Sequence, residues 1–87
     1  MEEVPLLPLP PPEERRKLRE ELMGLTLAQA VRAIGETQVP GVPDMPSPAP
    51  NTLRRWEKGY PMTADNHRRY QAAITRWQEI IATYTQQ

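Results

Sequence analysis

Asn51, Arg54, Arg55 and Lys58 are the residues of this 87-residue chain whose types and spacing carry the most chemistry. Placed on a helix, they project from one side, while Leu53 and Trp56, three apart, share the other. The outward set is rich in cations and hydrogen-bond donors. Arg pairs with guanine and Asn with adenine in the DNA major groove. A short helix with two apolar anchors, a basic outer face and a glycine stop at Gly59 has the shape and charge for that groove. Thr52 can cap the helix or meet a phosphate. Arg68 and Arg69, further along, can neutralise phosphates without reading sequence. Glu57 would be repelled by phosphate, so it is expected to fix local structure through hydrogen bonds.

No comparable set exists for catalysis. One histidine, His67, and no cysteine leave no nucleophile, base and acid to assemble, and no glycine-rich loop is present to cradle a phosphate. His67 is expected at the surface or facing backbone. The chain is therefore read as a non-enzyme with no cofactor and no metal site.

Net charge is zero, which argues against an indiscriminate nucleic-acid binder. Its distribution is uneven. Residues 1–36 hold five basic and seven acidic side chains, whereas residues 51–87 hold six basic and three acidic ones. The positive end thus surrounds the 51–58 segment. A chain this short is one small domain with a modest core, which dimerisation would help to stabilise. No apolar run approaches the roughly 20 residues of a membrane span. Glu2 and Glu3 stand where a secretory signal would be basic, so a cytoplasmic location is expected.

Several elements must position the basic set. Residues 1–11 read as an extended, proline-rich arm, because proline fixes φ and lacks a donor. Its leucines are expected to pack on the domain or on a second subunit. A first helix should start at Pro11 or Pro12, with Glu13 and Glu14 in its first turn, and run to about Met23. Leu18 and Leu22 are expected as its inner stripe and Gly24 as its end. Thr26 reads as an N-cap. Leu27, Ala30, Val31 and Ile34 follow at helical spacing, and Gly35 should close that helix. Residues 36–50, with five prolines, should be irregular. This connector is about a dozen residues longer than the roughly 3–4-residue turn of a helix-turn-helix. After the 50–58 helix, a long helix from Thr63 or Ala64 to Thr85 carries Tyr70, Ala73, Ile74, Trp77, Ile80, Ile81 and Tyr84 as one apolar stripe. Either the whole stripe packs internally, or its distal part from Trp77 to Tyr84 contacts a second copy.

Two blocks resemble a known family. Arg16-Lys17-Leu18-Arg19-Glu20-Glu21-Leu22-Met23-Gly24-Leu25-Thr26-Leu27-Ala28-Gln29-Ala30 is similar to the first helix and Gly-Leu-Thr lead-in of the lambda-repressor-like (Cro/Xre) helix-turn-helix family. Thr52-Leu53-Arg54-Arg55-Trp56-Glu57-Lys58-Gly59 resembles its recognition helix, with the Trp-Glu-x-Gly ending. The resemblance covers residues 15–60 well and the last helix loosely. It implies an all-α bundle of four to five helices over residues 12–87, homodimeric in many members, acting as a phage or bacterial transcription regulator. It also implies a phosphate contact for Gln29 at the opening of the second helix. The long proline-rich connector departs from the family pattern. A second resemblance, to MerR-type winged helices and small phage excisionases, adds His67-Arg68-Arg69-Tyr70 to the same basic block. Only seven residues separate Gly59 from His67, short for a β-wing.

The expectation is a sequence-specific regulator that binds double-stranded DNA, with Gln29, Asn51, Thr52, Arg54, Arg55, Lys58, Arg68 and Arg69 at the interface. It would dimerise through the C-terminal helix. The alternative of another class is an interaction module that keeps the fold but binds a polymerase or phage component.

Overall fold

Pro12, at the first helical position, starts α1 (Pro12–Lys17) with Glu13 and Glu14 in the first turn. The order is favourable, since proline is preset for the helix and lacks an N–H the first turn cannot use, and carboxylates suit the positive end. The structure is a computed structural model that describes residues 8–85. Val4, Leu6 and Leu7 of the arm lie outside the described residues. Within them, Leu9 packs against the core.

The helix continues from α1 as a π-helical turn over Leu18–Leu22. The Met23 N–H reaches the Leu18 carbonyl at 2.9 Å, five residues back. This wider turn corrects the expected inner stripe. An i, i+4 pair superposes on an α-helix but not where the turn holds an extra residue. Leu18 is buried, while Leu22 is 56 % exposed. The inward face is instead Arg15, Leu18 and Arg19, all buried.

Thr26 caps α2 (Leu27–Glu36) as expected, and Gln29 completes a capping box with it. The Gln29 N–H donates to Thr26 Oγ1, and the Thr26 N–H donates to Gln29 Oε1. Two otherwise orphaned donors are thereby satisfied. Ala30, Val31 and Ile34 are the buried face.

Gly35 does not close α2, which runs one residue further to Glu36. Its role is close approach. A Cβ on Gly35 would lie 1.9 Å from Ser47 Oγ and 3.0 Å from Ser47 Cα. The connector, residues 37–49 between α2 and α3 (Pro50–Trp56), returns across this spot. Gly35→Ala is therefore expected to destabilise the protein by about 1–3 kcal/mol, the usual cost of overpacking. That outweighs the roughly 0.5–1 kcal/mol that alanine gains over glycine within a helix. Urea denaturation checks the sign: a more stable variant would mean the connector lifts off freely.

Arg69 provides the second anchor for the connector. Arg69 is 3 % exposed, and its guanidinium donates to the carbonyls of Pro46 at 3.2 Å and Met45 at 3.3 Å. Prolines leave such a loop rich in acceptors and poor in donors, and a buried arginine supplies what is lacking.

The last helix, α4 (Ala64–Thr85), buries Tyr70, Ala73, Ile74 and Trp77. They join Leu18, Ala30, Val31, Ile34, Leu53 and Trp56 in one core to which every helix contributes. The architecture is all-α, with no strand among the described residues. No helix among them is long and apolar enough to cross a membrane.

Candidate nucleic-acid interface

The α3 helix is held by its apolar side. Leu53 is fully buried and Trp56 is 3 % exposed, with the Trp56 ring tilted against Tyr70 at 5.5 Å between centroids. Pro50 occupies the first turn, where the missing donor does no harm. The opposite side carries Asn51, Arg54 and Arg55, all exposed. Lys58 is exposed too, but it sits just beyond the helix, in a tight turn where its N–H reaches the Arg55 carbonyl at 3.0 Å. Gly59 follows with φ +93°, a conformation that stops the helix and that side chains resist.

Glu57 would spoil this basic face if it pointed outward. It turns inward instead. Arg19 grips it with two parallel bonds, Nε to Oε2 at 2.5 Å and Nη2 to Oε1 at 3.0 Å. The third arm of the guanidinium, Nη1, donates to the Leu25 carbonyl at 2.7 Å. One side chain of the first helix thus ties the α1–α2 corner to the end of α3. The bond to Glu57 pushes the Arg19 pKa above its already high value, and the nearby Glu57 and Glu20 charges add to this against burial. The effect on α3 is electrostatic: its carboxylate is neutralised in the interior, and the outer surface keeps only neutral and positive groups.

The other predicted residues divide. Gln29 is exposed at the start of α2; its carbonyl oxygen serves the capping box, which leaves the amide N–H2 outward. Thr52 is half-buried on α3, with its N–H on the Ala49 carbonyl at 2.9 Å. Arg68 is one-third exposed and lies 3.5 Å from Asp65. Arg69 leaves the set that can reach a phosphate, because it is buried under the connector it holds. Its neighbour in sequence points elsewhere because adjacent helical residues are about 100° apart.

Sequence reasoning missed Arg15 and Arg19, which lie outside the expected inner stripe of Leu18 and Leu22. Arg15 is 6 % exposed and lies over the Tyr70 ring at 5.5 Å from its centroid, a cation–π distance. Burial pushes the Tyr70 phenol up to about 12, against the opposing pull of Arg15. The unfolded value is near 10, so the folded protein keeps a proton that the unfolded chain loses. Stability intact below about pH 10 should fall as pH rises from about 10 to about 12, by about 2–3 kcal/mol in total. Tyr70→Phe should flatten that decline, measured as urea midpoints across the same window; an unchanged decline would assign it to other groups.

These parts define a small helical domain that displays a short basic helix and turns the carboxylate at that helix's end inward. Among known proteins, no family model matches the chain, nor does any curated protein or solved structure.

Proposed function

We propose that this chain is a sequence-specific DNA-binding transcription regulator of phage or bacterial type, acting in the cytoplasm. Its α3 helix enters the major groove. Asn51, Arg54 and Arg55 face the base edges and Lys58 the adjoining backbone, while Gln29 and Arg68 meet phosphates. The single observation that carries this reading is the withdrawal of Glu57 onto Arg19. It leaves α3 with a buried apolar side and an outer side free of negative charge. A carboxylate left on this side would repel phosphate, and its bond to Arg19 removes that charge while also tying the end of α3 to the first helix. The absence of any strand among the described residues also leaves no β-wing, so the lambda-repressor-like arrangement is favoured over the winged one.

The test is the salt dependence of affinity for a random DNA duplex. The expected plot of log affinity against log salt is steep and negative, with a slope of about −0.9 per phosphate neutralised. Sites then selected from random sequence should converge on a motif. A flat plot with no measurable duplex binding would overturn the reading in favour of a protein-interaction module.

A further inference from the structure

The connector is longer than the roughly 3–4 residues that a helix-turn-helix needs, yet it is held in one form. Val39-Pro40-Gly41-Val42 closes a tight turn, with the Val42 N–H on the Val39 carbonyl at 3.1 Å and Gly41 at φ +84°. Proline in the second place and glycine in the third suit a type II turn. From Val42 to Ala49 local sterics leave little choice. The rings of Pro43, Pro46 and Pro48 fix their φ. Val42, Met45, Ser47 and Ala49 each precede a proline, which keeps them extended. Only Asp44 is free of both constraints. Ala49 has φ −73° and ψ 152°, values of the polyproline II helix. That helix has about three residues per turn and no internal hydrogen bonds, and burial follows its period. Val39, Val42, Met45 and Pro48 are half-buried, and the two residues between each of them and the next are exposed. One edge therefore faces the domain. The other two face out, with Pro43, Pro46 and Ala49 on one and Asp44 and Ser47 on the other.

We propose that this outer face is a docking ridge for a partner protein whose groove is lined by aromatic side chains, the kind that takes proline-rich segments. Pro43 and Pro46, one turn apart, would seat against its rings. The rotation of the ridge about its own axis is set from inside. Arg69 holds the Met45 and Pro46 carbonyls, and Gly35 leaves room for Ser47. A segment already fixed in its bound form loses little freedom on docking. The ridge also stands clear of the helices, since between Gly35 and Met45 the connector arches over a hollow of about 720 Å³. Pro43 and Asp44 make no hydrogen bond among the described residues, so their carbonyls are open to donors from the groove. Charge rules out a nucleic acid as the occupant. Residues 36–50 carry Glu36 and Asp44 and no basic side chain, so a phosphate backbone would be repelled, in contrast to α3.

The probes are an isolated SH3 domain and an isolated WW domain, whose aromatic grooves take such ligands. Each is isotope-labelled, titrated with the full chain and followed by NMR. With at least one of them, shift changes are expected to be confined to the groove and to reverse when an oligoproline peptide is added. Pro43→Ala and Pro46→Ala should each weaken that binding about tenfold, the loss of one well-seated side chain. Both prolines are exposed, and alanine keeps the carbonyl that Arg69 holds at position 46, so circular dichroism should show an unchanged helical content. Pro8→Ala/Pro11→Ala, which alters the exposed prolines of the arm, should bind like the wild type. The ridge does not rest on the DNA reading, and two results keep them apart. The Pro43 and Pro46 variants should hold DNA as the wild type does, and Arg54→Ala/Arg55→Ala should hold the probe as the wild type does. No shift in either probe at about 1 mM chain, or binding that the arm variant loses and the connector variants keep, would overturn the proposal.

Discussion

Glu57→Ala is expected to lower the unfolding free energy by about 3–5 kcal/mol, the range for breaking a buried ion pair from one side. The substitution removes little volume, so packing alone would not produce such a loss. The loss comes from Arg19. Arg19 is 7 % exposed, and its guanidinium carries a charge that no accessible pH removes. With Glu57 gone, two of its donors face the interior without an acceptor. Removing both partners should hurt less. Arg19→Met/Glu57→Leu leaves no stranded charge, and only the bond from Arg19 to the Leu25 carbonyl goes unreplaced. The double variant should therefore be more stable than Glu57→Ala, with a favourable coupling in a double-mutant cycle. Urea denaturation of wild type, Arg19→Met, Glu57→Leu and the double variant measures the coupling, with Glu57→Ala alongside for the comparison. A Glu57→Ala variant within about 1 kcal/mol of wild type would place the pair in the class of solvent-screened surface bridges.

This pair also shows where the amino-acid pattern stops being readable. The start of α1, the Thr26 cap, the core face of α2 and the span of α4 follow local rules of spacing and capping, and they lie where those rules put them. Glu57 was assigned a structural role because a carboxylate beside phosphate is unfavourable. Its partner could not be named, since 38 residues separate them and several arginines were available. Leu22 failed for a different reason. A 3.6-residue period places it beside Leu18, and nothing in Leu-Arg-Glu-Glu-Leu announces a wider turn. Gly35 and Arg69 failed together. Read locally, one is a helix stop and the other a surface cation. Both are set by the connector, whose path across α2 and α4 has no helix or strand periodicity to read. The prolines foretold its lack of helix or strand, but not that Ser47, Met45 and Pro46 would settle against particular residues.

Arg54→Ala/Arg55→Ala should abolish most DNA affinity while leaving the fold intact. Each good base contact contributes about 1–3 kcal/mol of discrimination, so losing two weakens specific binding by roughly thirtyfold to twenty-thousandfold. Where these arginines also neutralise phosphates, the salt slope should shrink by about one unit for each. Stability should change by no more than about 0.5 kcal/mol, because both side chains are exposed and make no bonds that the core needs. Arg69→Ala is the control that gives the comparison meaning. It removes a charge of the same sign from the same half of the chain, so a purely electrostatic role for net charge predicts a similar loss of binding. The geometry predicts the reverse. Arg69 holds the connector, so its loss should lower stability at an unchanged salt slope, and affinity should fall only as far as α3 loosens. Fluorescence anisotropy on a selected site at several salt concentrations, with urea denaturation of the same samples, separates the two outcomes. Full binding by the Arg54→Ala/Arg55→Ala protein at moderate salt would remove α3 from the interface, whatever its charge.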